Sequence, residues 1–312
     1  MHWRLKGAVQ KTLGVLPGGE AMHYQLQRHL GGLRNFRREF DSKVEDWSIM
    51  ARHLRDAGLS LEGARCFELG TGWYPTFPFA CLLAGAARVE TFDLNPHLKP
   101  DLVRACVVGL DGHVDAIADA AGVDREHVAA RYARLRTGMD QAAEARNLGA
   151  LTDGALRYHA PVDATRSGLP DASVDVVFSN SVLEHVPPEV IAPLYHEAMR
   201  VLRPGGLMFH SVNTGDHYAY VDRNVHQLNY LQYGDRAWAF WNNAFLYQNR
   251  LRVDAFLDAA RGTGFELVLD TSHTRPERLA QLQSMRVHPQ FAGVAPERLC
   301  ITTVDFVGRK PD

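Results

Sequence analysis

The sequence has few cysteines, and none of them are paired in sequence. Its 312 residues include four, Cys66, Cys81, Cys106 and Cys300, and no C-x-x-C pair. So few scattered cysteines in a chain of this length exclude a disulfide scaffold and argue against a zinc site built on cysteine. The sequence therefore predicts a protein of a reducing compartment, and we expect a cytoplasmic location.

A large excess of one charge and a long apolar run are also missing. Lysine and arginine total 34 against 36 aspartates and glutamates, which leaves a net charge of −2. This balance disfavours long nucleic acids as partners, because they bind to basic surfaces. The longest nearly apolar stretch, 74–87, contains two prolines and is shorter than the about 20 residues that a membrane helix needs. We therefore expect no nucleic-acid partner and no stable membrane insertion.

What is present is an alternation of strand and helix patterns after a helical beginning. Residues 1–60 have helical periodicity, which predicts an N-terminal helical cap, and 61–312 form the main domain. Helices are predicted at 76–86 and 189–202, the second closed by a turn at 203–206. The predicted strands are 65–69, 89–92, 156–162, 174–178, 206–212, 265–269 and 299–307. This alternation predicts an α/β fold with a Rossmann-like, seven-stranded, mostly parallel sheet, helices on both faces, and the last strand antiparallel at the edge.

Two segments are longer than the connections that a minimal α/β sheet of this kind needs. One lies at about 98–154 and is predicted to be helical, with Val128, Tyr132, Leu135 and Met139 on one face. The other lies at about 213–250 and is rich in tyrosine, tryptophan and asparagine. Both follow the carboxyl end of a predicted strand, where open α/β sheets bind their ligands. We expect these two insertions to contact the substrate.

A glycine turn directly follows the first predicted strand. The turn Gly70-Thr71-Gly72 brings backbone amides close to any ligand there, but G-x-G alone is weak evidence. A dinucleotide fingerprint needs a third glycine where this chain has Pro75, and Glu68 would repel a nearby pyrophosphate. Asp93, at the end of the second strand, can accept hydrogen bonds from ribose hydroxyls. These features favour a cationic nucleoside ligand over a nicotinamide dinucleotide, so an oxidoreductase is the less favoured alternative.

At this point the sequence resembles the class I S-adenosylmethionine-dependent methyltransferases of biosynthetic type. The matching segments, in chain order, are E-L-G-T-G (68–72), F-D-L-N-P (92–96), D-A-T-R-S-G-L-P (163–170), D-V-V-F-S-N-S-V-L-E-H-V (175–186) and R-V-L-R-P-G-G (200–206). The resemblance covers roughly residues 65–212. It implies S-adenosylmethionine as the cofactor.

The resemblance also implies which residues contact that cofactor. Glu68, Gly70 and Gly72 would line the methionine part, and Asp93 would bind the ribose. Asp163 would accept from the adenine amine, Ala164 would offer its amide, and Asn180 would lie beside the sulfonium. The same motifs add Thr71 and Leu94. This chain departs from many relatives in the bulky turn 73–75, which we expect to narrow the methionine pocket or form part of its wall.

The reaction needs an aligned acceptor and, for an oxygen of high pKa, a general base. The candidates are His185, after the fourth strand, and the neighbouring Asp216 and His217, after the fifth. We expect no metal ion, since no spaced ligand set stands out. Structural roles for both histidines stay open.

The composition of the second insertion indicates what kind of acceptor the protein would bind. Its aromatic and amide side chains suit a small polar molecule or a glycan unit, although core packing explains part of the same pattern. Arg250 and Arg252 could hold a carboxylate or phosphate of such an acceptor. The sequence predicts methyl transfer to an acceptor oxygen. A non-catalytic cofactor-binding or partner-binding protein of the same fold is the alternative, and a homodimer is left open.

Overall fold

A computed structural model describes residues 2–14, 16, 18–30, 32–141, 147–243 and 245–312. One sheet runs through the molecule, and its strands are β1 (Arg65–Leu69), β2 (Arg88–Phe92), β3 (Leu156–His159), β4 (Val174–Asn180), β5 (Leu202–Asn213), β6 (Glu266–Asp270) and β7 (Thr303–Arg309). The helices within these ranges are α1 (Trp3–Gly14), α2 (Gly19–Leu30), α3 (Phe36–Asp56), α4 (Thr76–Leu83), α5 (Pro100–Gly109), α6 (Val114–Ala121), α7 (Arg125–Gln141), α8 (Leu148–Leu151), α9 (Pro188–Val201), α10 (Asp235–Trp241), α11 (Val253–Gly262), α12 (Pro276–Gln283) and α13 (Pro296–Leu299). None of them is long and apolar enough to cross a membrane.

The strand order of the sheet is β3-β2-β1-β4-β5-β7-β6. Strands β1 to β5 are parallel to one another, and β7 is antiparallel to both β5 and β6. Chain order reverses between β1 and β4, so the loops after these strands diverge and leave a crevice at their carboxyl ends. The predicted seven-stranded, mostly parallel sheet with helices on both faces is confirmed.

Three details of the prediction are wrong. β7 is antiparallel as expected, but it lies between β5 and β6, so β6 forms the edge of the sheet. It also begins at Thr303 rather than at 299, because Leu299 ends the short helix α13. The segment 203–206, predicted as a turn that closes α9, lies within β5. Proline and glycine are tolerated there because the pairing of β4 with β5 is irregular between Val174 and Val176.

Each face of the sheet is covered by its own apolar cluster. One cluster joins the sheet to α3, α4 and the helices between β2 and β3, and the other joins it to α9 and α11. Phe178 and Phe209 belong to the first cluster, and Phe67 and Phe306 to the second; all four are at most 1% exposed. Strands buried on both faces explain why the sequence has continuous apolar runs rather than alternation.

The N-terminal region supplies part of the same core. Helix α3 buries Val44, Trp47, Met50 and Leu54 at spacings of three and four residues, and these side chains pack in one cluster with the sheet. Helix α1 instead contacts the second predicted insertion, where Trp3 joins an aromatic cluster. The division of the chain at residue 60 stays a prediction.

The first insertion forms helices α5 to α8 between β2 and β3. The face predicted from Val128, Tyr132, Leu135 and Met139 is buried, since none of these side chains is more than 7% exposed. It packs with α3 and α4 on one side of the sheet. The limits of this segment as an insertion remain a prediction.

Replacing Leu54 by alanine tests whether α3 belongs to the folded core. Leu54 is fully buried, so we expect the free energy of unfolding to fall by about 2–5 kcal/mol. Urea denaturation of the full chain measures this change. Arg52→Ala on the exposed side of the same helix is the control, with an expected change below about 0.5 kcal/mol. Equal effects of the two substitutions would contradict the packing of α3.

Candidate active site

The glycine turn after β1 needs glycine for two separate reasons. Gly70 and Gly72 have φ values of +77° and +70°, a region that side chains rarely adopt. A Cβ atom on Gly70 would also lie 2.5 Å from Cγ2 of Val182, in the loop after β4. The turn therefore brings the backbone after β1 against the Val182 side chain after β4, at the crevice where chain order reverses.

Asp93, which follows β2, is hydrogen-bonded to this glycine turn. Its Oδ2 accepts hydrogen bonds from the Gly72 amide at 3.1 Å and from the Tyr158 hydroxyl at 3.0 Å. Burial raises the pKa of Asp93 to about 7, although both hydrogen bonds oppose the rise. Sequence analysis missed Tyr158. It lies in β3, opposite Thr91, so only strand pairing brings it to Asp93.

Glu68 is a second buried carboxylate, at the end of β1. The Thr91 hydroxyl donates to its Oε2 at 2.5 Å and also contacts the Thr71 hydroxyl. Burial is the main cause that raises the pKa of Glu68 to about 8, and the charge of Asp93 adds to it. Two carboxylates so close together and so little hydrated favour a ligand that brings positive charge or hydrogen-bond donors.

The predicted adenine and ribose contacts are more exposed. Leu94 is 70% exposed, and Asp163 is exposed at the start of the short 3-10 turn Ala164–Arg166. Asp163 uses Oδ1 to accept from the amide and the hydroxyl of Thr165, at 2.9 and 2.8 Å. The predicted residues thus follow the carboxyl ends of β1, β2 and β3 in the order expected for one extended ligand.

The bulky turn after Gly72 is part of an aromatic stack. The Trp73 ring lies between Tyr24 of α2 and His97, with ring centroids 5.0 and 5.8 Å apart and interplanar angles of 15° and 29°. Lys99 lies over the outer ring, with its Nζ 5.1 Å from the Tyr24 centroid. Through Trp73, residues 73–75 therefore link α2 to the glycine turn that precedes them.

Helix α3 reaches the end of β4. Asn180 donates from Nδ2 to Oδ2 of Asp46 at 3.1 Å. Lys43, one turn earlier on the same helix, lies close enough to lower the pKa of both Glu68 and Glu184. The polar side of α3 thus covers the crevice between β1 and β4. Sequence analysis treated this helix as a cap and did not single out its polar side.

The structure brings the two predicted histidines together with a glutamate. His185 and Glu184 lie in the 3-10 turn Leu183–His185 after β4, and His217 begins the 3-10 turn after β5. The two imidazole centroids are 4.9 Å apart with a 68° interplanar angle, and Nε2 of His217 lies 3.9 Å from Oε1 of Glu184. One ligand atom from each side chain falls within 4.8 Å of the others. We call these three residues the Glu-His-His cluster.

Two members of the cluster lack hydrogen-bond partners for buried atoms. Glu184 is 2% exposed, and within the described ranges neither of its carboxylate oxygens is hydrogen-bonded; nor is Nε2 of His217. Burial raises the pKa of Glu184, and the nearby amides of Glu184 and Asn213 oppose the rise without reaching hydrogen-bond geometry. Burial, followed by the neighbouring His185 and Lys6, lowers the pKa of His217 to about 3. Unpaired buried polar atoms are costly and mark a site that a ligand can complete.

Three successive residues hold both loops of the cluster. The His185 ring donates from Nδ1 to the Tyr247 carbonyl at 2.5 Å, and Gln248 accepts the His217 amide at 2.9 Å. Asn249 donates from Nδ2 to the carbonyls of Leu183 and Val186, at 2.7 and 2.9 Å. Sequence analysis missed this segment, because its amides are separated from the cluster by roughly thirty to sixty residues.

Asp216 lies next to His217 in sequence, but its carboxylate accepts hydrogen bonds from other residues of the same loop. It is fully buried and accepts from the Tyr218 amide at 2.8 Å and from Nδ2 of Asn229 at 2.7 Å. Burial raises its pKa to about 6. Its hydrogen bonds fix the turn that carries His217, which makes it a positioning residue in this arrangement.

The two arginines after the second insertion do not face a ligand. Arg250 donates to the carbonyls of Tyr230 and Tyr233 and pairs with Asp235. Arg252 donates to the Thr214 carbonyl at 2.6 Å and contacts the Ile301 carbonyl. The hypothesis that they hold an acceptor carboxylate or phosphate is wrong, because the terminal nitrogens of both guanidinium groups bind carbonyls and Asp235.

The aromatic residues of the second insertion divide into two groups. Tyr218, Tyr230 and Trp238 are at most 3% exposed and pack with Trp3 in a core of their own. Tyr220 is 64% exposed and its ring lies 5.6 Å from His217. Packing therefore accounts for much of the aromatic pattern, and Tyr220 remains as an aromatic face beside the Glu-His-His cluster.

Residues 110–210 match a family model described as a methyltransferase domain. The match spans β3, β4 and most of β5, and it begins after the glycine turn and Asp93. No curated protein matches the sequence.

Three solved structures illustrate the likeness of fold. An S-adenosylmethionine-dependent methyltransferase from Mesorhizobium loti is 20% identical, with a TM-score of 0.43 over 82% of this chain and 95% of that one. A methyltransferase of the same type from Methanosarcina mazei is 13% identical, with a TM-score of 0.45 over 83% and 97%. A geranyl diphosphate C-methyltransferase from Streptomyces coelicolor A3(2), solved with Mg²⁺, geranyl diphosphate and S-adenosyl-L-homocysteine, is 15% identical, with a TM-score of 0.43 over 84% and 78%.

Likenesses of this size carry no argument about substrate. The sheet order and the five ordered motifs at its carboxyl edge agree with the match to a methyltransferase domain over residues 110–210. The chain therefore contains a segment that matches a methyltransferase domain, within a sheet of the expected order.

Proposed function

We propose that this methyltransferase transfers the methyl group of S-adenosylmethionine to an oxygen of a small-molecule or glycan acceptor. The observation that carries the proposal is the placement of two polar groups at one crevice. The buried carboxylates Glu68 and Asp93 lie beside the glycine turn, and the Glu-His-His cluster lies after β4 and β5. The first group fits a cationic nucleoside, and the second offers nitrogen and carboxylate acceptors toward a hydroxyl group.

The residues present fit the cofactor. The missing side chain of Gly70 leaves the backbone close to Val182, and the carboxylates of Glu68 and Asp93 are buried beside the same turn. In the proposal Asp93 accepts from the ribose hydroxyls and Glu68 faces the positively charged methionine end. The other cofactor contacts are Gly70, Thr71, Gly72, Leu94, Asp163, Ala164 and Asn180.

Bound S-adenosylmethionine supplies a methyl group already activated on a sulfonium. The chain's own part is to hold an acceptor oxygen in line with that methyl group, to exclude water and to receive the hydroxyl proton. Asn180 and Asp46 mark the end of β4 beneath α3, where an acceptor would be enclosed. His217 and His185 are the proposed catalytic residues, and Asp216 positions the loop of His217.

The rest of the proposal concerns partners and location. We propose a cytoplasmic enzyme whose partner is the small-molecule or glycan acceptor, without nucleic acid. All four cysteines lie in the described part of the chain and are free and buried, which supports a reducing compartment. A homodimer is compatible with the proposal but not required by it.

Substitution of Asp93 tests the cofactor assignment. We expect Asp93→Ala to weaken S-adenosylmethionine binding by at least about tenfold, because a hydrogen bond to a charged group is worth about 1.5–3 kcal/mol. Asp93→Asn keeps the shape of the side chain and separates the loss of charge from a loss of fold. Calorimetric titration measures both, with NAD as a ligand that should not bind. Asp258→Ala, on the exposed side of α11, is the matched control, and an unchanged affinity in Asp93→Ala would overturn the assignment.

The raised pKa values of Glu68 and Asp93 predict proton release on cofactor binding. With pKa values of about 8 and about 7, both groups are partly protonated in the free protein at pH 7. A cationic ligand and its donors favour the carboxylate forms, so binding should release protons and affinity should rise between pH 6 and 7.5. Titrations at pH 7 in buffers of different ionisation enthalpy count these protons. The count should be smaller in Glu68→Gln, and zero release in the unaltered protein would contradict the assignment of these two carboxylates.

His217→Ala tests the acceptor side. General base catalysis contributes about 100-fold or more, so kcat should fall by at least that factor while S-adenosylmethionine affinity stays unchanged. Initial rates with the best acceptor of a panel of phenols and sugars measure the effect. His226→Ala is the matched control, since His226 lies in the same segment and accepts the Leu228 amide at 3.2 Å. Full activity of His217→Ala would remove His217 from the chemistry, whereas cofactor binding without transfer in the unaltered protein would favour the non-catalytic alternative.

A further inference from the structure

We propose that the Glu-His-His cluster is a binding site for one divalent transition-metal cation. Its ligands are a carboxylate oxygen of Glu184 and the Nε2 atoms of His185 and His217. This inference departs from the expectation, based on sequence alone, that the protein holds no metal. That expectation rested on the absence of a recognisable spacing, and here two ligands follow β4 while the third follows β5.

The distances within the cluster suit a cation after small side-chain rotations. Zinc binds imidazole nitrogen and carboxylate oxygen at about 2.0–2.2 Å in tetrahedral geometry, so two of its ligand atoms lie about 3.4 Å apart. Nε2 of His217 and Oε1 of Glu184 are 3.9 Å apart, and one ligand atom from each of the three side chains lies within 4.8 Å of the others. Side-chain rotations that bring these atoms up to about 1.4 Å closer together would complete the site.

The buried atoms of the cluster lack the partners that a cation would replace. Among the residues that the structure describes, both oxygens of Glu184 and Nε2 of His217 are buried without a hydrogen bond. Leaving a buried carboxylate unpaired costs several kcal/mol in general, and such groups in proteins are normally paired or bind metal. A single cation among the three side chains would satisfy all of these atoms at once.

The surroundings orient the ligands as metal sites usually require. The His185 ring donates its Nδ1 proton to the Tyr247 carbonyl, which leaves Nε2 as the lone-pair nitrogen. A backbone carbonyl bound to the second ring nitrogen is the common way to fix a ligand histidine. Gln248 holds the His217 amide from the neighbouring position, and its own Nε2 donates to the Gly215 carbonyl at 2.8 Å. The ligand loops are therefore held before any cation binds.

The donor set selects the class of cation. Two imidazole nitrogens and one carboxylate favour zinc, cobalt, iron or manganese, whereas Mg²⁺ and Ca²⁺ prefer oxygen ligands throughout. The cations Lys6 and Lys43 lie near His217 and Glu184 and weaken the attraction for any metal. We therefore expect a site of moderate affinity that depends on all three ligands.

The cation would lie at the acceptor end of the crevice. A bound metal would lower the pKa of a coordinated acceptor hydroxyl group, so that its proton could leave to solvent. With the cation bound, His185 and His217 would act as its ligands and not as the proton acceptors of the metal-free site. This use of the metal rests on the proposed function, but binding of the cation does not. The two can therefore fail separately.

The test is a titration of the full chain after removal of metals with a chelator. Co²⁺ reports ligation through its visible absorption, and calorimetry with Zn²⁺ gives the stoichiometry, which should be one per chain. Mg²⁺ at the same concentrations should produce no signal. Losing one direct ligand should weaken Zn²⁺ and Co²⁺ binding by at least about 100-fold, so Glu184→Gln and His217→Ala should both lose the cobalt spectrum. His226→Ala, in the same segment, should bind as the unaltered chain does.

Each outcome decides one question. Absence of Zn²⁺ and Co²⁺ binding, or binding unchanged in both variants, overturns the metal site. Because Glu184 is buried, thermal unfolding checks that each variant folds, and His185→Ala replaces any variant that does not. S-adenosylmethionine titrations on the same samples are read independently. Cofactor binding without metal binding defeats this inference alone, and metal binding without cofactor binding defeats the proposed function alone.

Discussion

The site depends on one constraint, the burial of carboxylates at the carboxyl edge of a parallel sheet. Glu68 and Asp93 end neighbouring strands, and the strands can pack only if both side chains leave water. Hydrogen bonds from the hydroxyl groups of Thr91 and Tyr158 and from the Gly72 amide replace part of the lost hydration of these carboxylates. Because they do not replace all of it, the pKa values of both carboxyl groups rise. The positive charge of the proposed cofactor would lower these pKa values again.

Helix α3 also contributes side chains to this carboxyl edge of the sheet. Its apolar side is part of the core, while its polar side carries Asp46 to Asn180 and Lys43 toward two buried glutamates. The same helix therefore supplies part of the core and part of the crevice wall. A domain boundary drawn after the helix separates residues that pack in one cluster.

The sequence predicted most of what local pattern controls. The bounds of β1 were predicted to the residue, and β2 and β4 to within two, because apolar runs between glycine and proline turns define them. The position of the candidate site residues at strand ends also followed from order and motif, since parallel strands bring their carboxyl ends together; their roles toward the cofactor stay predictions. Tyr158 and Asp46 were missed because their partners are 65 and 134 residues away, and no local pattern marks such pairs.

The sequence did not predict the burial of two arginines. Arg250 and Arg252 were expected to reach an acceptor, yet both are at most 7% exposed and bind backbone carbonyls. A buried guanidinium needs acceptors for its donors, and here the acceptors of the terminal nitrogens come from loops far apart in the chain, although Nε of Arg252 has no partner among the described residues. Periodicity carries no information about such an arrangement.

The segment 247–249 binds the turn after β4 and the loop after β5 through three consecutive residues. The two loops therefore cannot diverge independently during evolution. A change of acceptor that reshapes one loop must preserve the amide and carbonyl pattern of this segment, or replace it together with both loops. Acceptor range in related enzymes should then change through exchange of the whole unit, whereas single substitutions outside it adjust the rate with a given acceptor.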